Sequence, residues 1–334
     1  MGDIKRYVVR RALSFLPTIL GVLILTFLIS HVIPADPVRV WTGGYKARPE
    51  IIEEIKKRYH LDKPLHEQLI LYLVDVFRGN WGVSPMSKRP VLVDIAEYFP
   101  ATVELAIVSS IILAVVGIPL GLIAALKKDS IIDHSIRVVA LIGTSAPAFW
   151  IAIVLQWIFY YYLGVLPSTG RGVVPPVRYT GMYLLDSLLG GRFDLFLENL
   201  RYIILPGITL AFTGLGIIAR VVRNSTLEVI SSDFIDFAKA RGLEGLQLYK
   251  HILKNSLIPI ITILGLEIGY ILSGAIVIET VFSWPGIGLY AVNAINSLDY
   301  PAIMGVTLLI GLIFIFINFV TDIAYAVIDP RVRL

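Results

Sequence analysis

Few residues in this sequence have the type and placement for chemistry, and most of those border apolar runs. Glu267 is the exception: the run Ser256 to Ile278 contains no other Asp, Glu, Lys or Arg. A charge at that depth in a bilayer costs roughly 2.5–3.5 kcal/mol unless it is paired or faces water. Two readings follow. Glu267 lines a polar path through the membrane, or it makes an interhelical or intersubunit hydrogen bond in its protonated form. The five histidines, His31, His60, His66, His134 and His251, show no metal-ligand spacing, and there is no cysteine. Disulfide scaffolds, thiol nucleophiles and cysteine-ligated zinc are therefore excluded. The sequence has no G-x-x-x-x-G-K-[ST], no H-E-x-x-H and no G-x-S-x-G. No catalytic residue and no metal ligand is assigned. No enzymatic activity is expected, and no nucleotide bound by this chain.

A second constellation lies between Arg220 and Ser256. Ser231, Ser232 or Asp233 can cap a helix N-terminus. Phe234, Phe237, Ala238 and Arg241 then recur at helical spacing, and Gly242 can stop that helix in a left-handed conformation. Leu246 onward reads as a second helix. A short helix, a glycine turn and another helix suit docking into a partner's groove. The plainer alternative is a solvated connection whose basic residues only set topology.

The elements that carry these residues follow from apolar length. The chain has 334 residues, 56% hydrophobic and 16% charged, where soluble domains carry about 25% charge; its mean hydropathy is +0.78. A spanning helix needs about 20 mostly apolar residues. Six stretches qualify: Ala12–Ile33, Leu105–Leu126, Val138–Leu166, Tyr202–Ala219, Ser256–Ile278 and Tyr300–Thr321. The third is long enough to tilt or to include part of a loop. Pro17, Pro119, Pro147 and Pro206 fall inside these stretches, which membrane helices tolerate better than soluble ones. The first stretch is too long for a signal-peptide core and is read as a retained helix.

Orientation follows from basic residues in short connections. Lys5, Arg6, Arg10 and Arg11, then Lys127, Lys128 and Arg137, then Arg220, Arg223, Lys239, Arg241, Lys250 and Lys254, and finally Arg331 and Arg333 all fall on one side of a six-span chain. Both termini are therefore predicted to be cytoplasmic. The net charge of +4 sits beside apolar runs, which fits a membrane surface and not nucleic acid.

The first connection, Pro34 to about Pro100, is too long for a simple link. Ile51, Ile52, Ile55 and Tyr59 share one helical face, and a second helix is predicted over 66–77, ended by Gly79. A small helical cap on the outer side is expected. The third connection, Pro167 to about Asn199, is rich in Gly and Pro and predicts an irregular outer loop. The chain thus divides into an N-terminal segment and first span (1–34), a cap (35–100), and a core of five spans (101–334) with its cytoplasmic loop at about 220–256. Gly117 and Gly121, and likewise Gly265 and Gly269, form GxxxG pairs that let helices approach closely, either within the chain or against a second subunit. Asn318 and Asp322, one turn apart, read as structural. Trp81, Trp150, Trp157 and Trp284 suit interface anchoring or bundle filling.

The stretch Asp236-Phe237-Ala238-Lys239-Ala240-Arg241-Gly242, with Ile252 ten residues after the glycine, resembles the EAA motif of permeases of binding-protein-dependent ABC importers. Asp236 and Phe237 stand where Glu and Ala are usual, and Lys254-Asn255 where Leu-Pro often closes the motif. Both departures are similar to the dipeptide/oligopeptide branch. So are Tyr7-Val8-Val9-Arg10-Arg11, Leu61-Asp62-Lys63-Pro64, the stretch Gly79 to Ser84, Pro100 to Leu105, Glu279 to Gly288, and Asp329 to Arg333. The long first connection resembles the first permease of the pair in such systems.

The resemblance implies an all-α, six-span, MetI-like type I importer fold in the cell membrane. It implies a heterodimer with a second permease, two cytoplasmic ATPase subunits that use the ATP, and an extracytoplasmic substrate-binding protein. The motif would then be the coupling helix that sits in a cleft of the ATPase. Position 267 is often Gln in the family, so Glu267 is a departure. Implied substrates are dipeptides or oligopeptides, with oligosaccharides or chelated metals as alternatives. An ATP-independent secondary carrier is the rival class; the helical, glycine-hinged loop and the lack of inverted-repeat signs argue against it.

Overall fold

The computed structural model describes residues 2–32, positions 50, 53, 56, 57 and 60, and residues 62–328. The predicted amphipathic face of Ile51, Ile52, Ile55 and Tyr59 lies outside the described residues, as does the tail from Asp329 to Arg333. Among the described residues the chain is helical, with one isolated β-bridge between Val83 and Pro90.

The first helix, α1 (Gly2–Val32), covers the first predicted span as far as Val32, Ile33 lying outside the described residues, and takes in the basic residues before it. Next, α2 (Leu65–Phe77) matches the helix predicted over 66–77, and Gly79 follows at φ +80°. The second span lies inside α3 (Val91–Leu126), 36 residues long, about 54 Å at helical rise and well beyond a bilayer's ~30 Å hydrocarbon core.

The third predicted span is corrected. It is two helices, α4 (Ile131–Ser145) and α5 (Ala148–Gln156), the latter running into a π-helical turn at Trp157–Tyr162. Their axes turn by 108°. Proline disfavours the helical conformation in the residue before it, and Ala146 is accordingly extended at ψ 137°. Pro100, Pro119 and Pro206 are absorbed into continuous helices instead.

The outer loop also needs correction, because it contains α6 (Tyr183–Leu189), and the next helix, α7 (Phe193–Ile230), begins before Asn199. The helical hairpin predicted between Arg220 and Ser256 follows as α8 (Asp233–Ala240) and α9 (Gly245–Val281). Within α9 the axis bends by 51° at Pro259. A short helix that the apolar count did not foresee, α10 (Ile287–Asn296), precedes α11 (Tyr300–Ile328). Among the described residues, four helices are long and apolar enough to cross a membrane; counting each bent pair as one span gives up to six.

The core is built around α7. It packs against α3, α4, α5 and α9, and it buries Ile203, Leu205, Leu210, Ile218 and Val222. In lipid, close approach has to come from small residues, since burial of apolar surface gains little there. A side-chain carbon on Gly121 would come within 2.6 Å of the Ala219 carbonyl and of Val222. Gly117 faces Ile218. Gly265 and Gly269 face Thr321 and Ile317 of α11. Both GxxxG pairs therefore sit at crossings within the chain. A smaller cluster of Val91, Ile95, Ile287, Tyr290, Ala302 and Val306 ties the start of α3 to α10 and α11.

Candidate functional site

In α8 the sequence writes two faces. Ile235 and Ala238, three residues apart, are buried, and the helix contacts α9, where Ile252 is also buried. Phe234 and Phe237 are 50% and 63% exposed. Asp236 and Lys239 are exposed and paired with each other at 3.2 Å. The Arg241 guanidinium lies 5.8 Å from the Phe237 ring, and Phe234 meets His251 edge-on at 6.0 Å. The predicted stripe of Phe234, Phe237, Ala238 and Arg241 is thus divided. Ala238 faces the chain's own core, and the two phenylalanines and Arg241 face outward.

Ser232 stands at the N-cap in extended conformation, though its hydroxyl donates to Val229 O and not to the helix N-terminus. At the other end Gly242 has φ +79°. Its N–H donates to Lys239 O at 2.8 Å, and Leu243 N–H to Ala238 O at 3.1 Å, the double closure that a left-handed glycine permits. Among the described residues, no atom of another part of the chain lies within 4 Å of where a Gly242 side chain would stand. The hairpin therefore presents two exposed aromatic rings beside the Asp236–Lys239 pair and Arg241 at a glycine turn.

The hairpin's mount is charged. Arg223 of α7 donates from Nε and Nη2 to the two Asp133 oxygens at 2.8 and 2.7 Å, and Arg137 approaches at 3.5 Å. Asp133 is fully buried and also accepts from Asp129 N–H. This fork fixes the start of α4 to the end of α7, next to α8. At the same end of the bundle Arg11 bonds Asp322 at 2.6 Å and Phe15 meets Phe319, so the N-terminal half of α1 lies beside the C-terminal half of α11. Asp322 has an ion-pair partner that sequence reasoning did not name.

Glu267 is half-buried on α9. Its carboxylate lies over Gly214 of α7, where a methyl would meet Oε2 at 2.6 Å, and Leu113 of α3 is beside it. Glu267 has no hydrogen-bond or ion-pair partner among the described residues. It faces the α7 crossing within this chain.

At the opposite end the segment Glu279 to Gly288 forms a buried junction. The Glu279 carboxylate accepts from Thr102 Oγ1 at 2.7 Å and from the N–H groups of Gly288 and Leu289 at 2.6 and 3.1 Å. It thus caps the N-terminus of α10 from another helix. Thr102 Oγ1 also accepts from Ile287 N–H at 2.8 Å, and Trp284 Nε1–H donates to Ala101 O at 2.9 Å. A side chain on Gly286 or Gly288 would collide with Glu279. The motif's Glu, Trp and glycines act together as this cap, which only the fold could show.

The loop between α5 and α6 is pinned. Arg171 donates to Glu104 at 2.7 and 3.1 Å and to Gly181 O at 2.7 Å, and stacks on Tyr183 at 3.8 Å. Asn199 pairs its amide with the Val173 backbone at 2.7 and 3.0 Å. Near the cap, Arg89 bonds Glu97 at 2.8 Å, which holds its guanidinium above its ordinary pKa. Burial, and then the Asp94 carboxylate, push the Tyr290 phenol up, so it remains a donor to Asp94. Among the described residues no cluster of metal-ligating side chains occurs.

Comparison with known proteins follows this geometry. Residues 117–334 match the family model "Binding-protein-dependent transport system inner membrane component", and residues 4–106 match the corresponding N-terminal model. The chain is 42% identical over 327 residues to the probable D,D-dipeptide transport system permease protein DdpB of Escherichia coli K12, covering 97% of this chain and 96% of that one. It is 41% identical to the dipeptide transport system permease protein DppB of Alkalihalophilus pseudofirmus, covering 98% and 99%. A solved chain of the MetNI methionine ABC transporter in an inward-facing conformation matches with TM-score 0.49 and 16% identity, over 69% of this chain and 93% of that one. The chain belongs to the family of inner membrane components of binding-protein-dependent transport systems.

Proposed function

We propose that this chain is the first of two permease subunits in an ATP-driven importer of short peptides. It spans the membrane six times with both termini in the cytoplasm. The observation that carries the coupling is the two-sided α8 helix, whose Ile235 and Ala238 anchor it while Phe234 and Phe237 stay uncovered at a rigid glycine turn. Exposed aromatics on a short helix are the groups that bury most energy in a partner's groove. The peptide substrate rests on the relatives, named for D,D-dipeptide and dipeptide transport.

In this reading two cytoplasmic ATPase subunits bind and hydrolyse ATP, and one of them receives α8. Closure of the ATPases moves α8, and the Asp133–Arg223 fork passes that displacement to α4 and α7. A substrate-binding protein delivers the peptide at the opposite face, and the second permease completes the path. This chain does no covalent chemistry. The side-chain placements favour an ATP-coupled machine over a secondary carrier, because α8 is built for a partner on the side of the basic connections.

Co-purification tests the docking. Phe237→Glu changes an exposed residue and leaves the anchor intact, so the chain should insert normally and lose its ATPases at least ten-fold. Retention of the ATPases at the wild-type level would remove α8 as their docking helix.

A further inference from the structure

At the end of the bundle opposite α8, a cavity of about 400 Å³ opens between the start of α3 and the loop before α6. That volume is in the range, about 300–1,000 Å³, of small-molecule sites. Its walls are held in place. Tyr98 stacks on Tyr290 with ring centres 5.0 Å apart, and Tyr183 is stacked by Arg171, itself forked onto buried Glu104. The Asp186 carboxylate accepts from the backbone N–H groups of Thr180 and Gly181 at 2.8 and 2.9 Å. Besides Arg171, which Glu104 neutralises, two charges of opposite sign line this frame. Arg178 is exposed and has no hydrogen-bond or ion-pair partner among the described residues. Glu97, on the facing wall, uses Oε2 for Arg89 and has a second oxygen to offer.

We propose that this cavity is an entry site for zwitterionic short peptides, with Arg178 taking the terminal carboxylate and Glu97 the terminal ammonium. The inference rests on the peptide-importer reading above. The two tyrosine rings supply flat, sequence-tolerant walls for side chains, and the charges read only the two ends that every free peptide carries. An acidic surface of a partner protein fits less well, because it would meet Glu97 as well as Arg178. A pre-formed frame loses little entropy on binding, which suits a site that must also release its ligand.

The test uses the full complex in proteoliposomes, with this chain wild-type, Arg178→Ala, Arg178→Lys or Glu97→Gln. Uptake of a labelled dipeptide, affinity for the binding protein and basal ATP hydrolysis are measured together. Arg178→Ala should lower uptake about ten-fold, the loss expected for one charge-assisted hydrogen bond. Arg178→Lys should restore most of it, and Glu97→Gln should show an intermediate loss. Binding-protein affinity and basal hydrolysis should stay within two-fold of wild type. Uptake by Arg178→Ala within two-fold of wild type overturns the site. Loss of uptake in parallel with binding-protein affinity also overturns it, since Arg178 is then a docking contact. If the wild-type complex hydrolyses ATP but takes up no peptide, the peptide reading itself falls and the entry site with it.

Discussion

Glu279 is the side chain on which the largest local network converges. Replacing it with alanine leaves the Thr102 hydroxyl and the N–H groups of Gly288 and Leu289 without their acceptor in a buried place. Each orphaned group costs about 1–3 kcal/mol, so Glu279→Ala should lower the thermal unfolding midpoint in detergent by several degrees. Glu279→Gln, which keeps one carbonyl acceptor, should lose less. Equal midpoints for wild type and Glu279→Ala would show that the cap does not hold α10. The sequence displayed this residue inside a recognisable stretch but could not tell a structural cap from a functional acid. Glu267 is the converse case. Its isolation in an apolar run drew attention at once, and the fold sets it over Gly214 with no hydrogen-bond or ion-pair partner among the described residues. Hydropathy shows where a charge is costly, and only three-dimensional contacts show what faces it.

At the scale of elements, junctions decide the fold. The Asp133–Arg223 fork joins α4 to α7, and removing one partner of a buried ion pair costs more than the pair itself contributes. Asp133→Ala should therefore destabilise by about 3–5 kcal/mol, and the double change Asp133→Ala with Arg223→Ala by less than the sum of the single ones. Additive losses in equilibrium unfolding would mean that the two residues do not act together. At the α3–α7 crossing, Gly121→Val should cost about 1–3 kcal/mol through overpacking, whereas Gly242→Ala meets open space and costs only its left-handed backbone strain. Long helices were legible because apolar runs of that length leave few alternatives. The break at Ala146-Pro147 was not, because Pro17, Pro119 and Pro206 sit in runs of similar character and stay helical. Helix α10 was hidden by its length, since ten residues fall well below a span.

For the whole molecule, topology is the property most open to direct test. The chain has no cysteine, so single substitutions report without background. Ser232→Cys should be labelled by a membrane-impermeant maleimide only from the cytoplasmic face, and Arg178→Cys only from the outer face. Labelling of both from one face would break the six-span arrangement. The basic residues indicated this orientation from sequence. The cavity beside the start of α3 stayed hidden, because Glu97 and Tyr98 lie some eighty residues from the Arg178–Tyr183 stretch that faces them. The central claim is that α8 transmits ATP hydrolysis to peptide movement, and one comparison addresses it most directly. Proline cannot adopt the φ of +79° found at Gly242 and has no N–H to give Lys239 O. In vesicles holding the full complex, the wild type should take up labelled dipeptide only with ATP. The Gly242→Pro complex, assembled to the same extent, should hydrolyse ATP and lose at least ten-fold of that uptake. Uptake that ignores ATP, or that survives Gly242→Pro unchanged, would contradict the account.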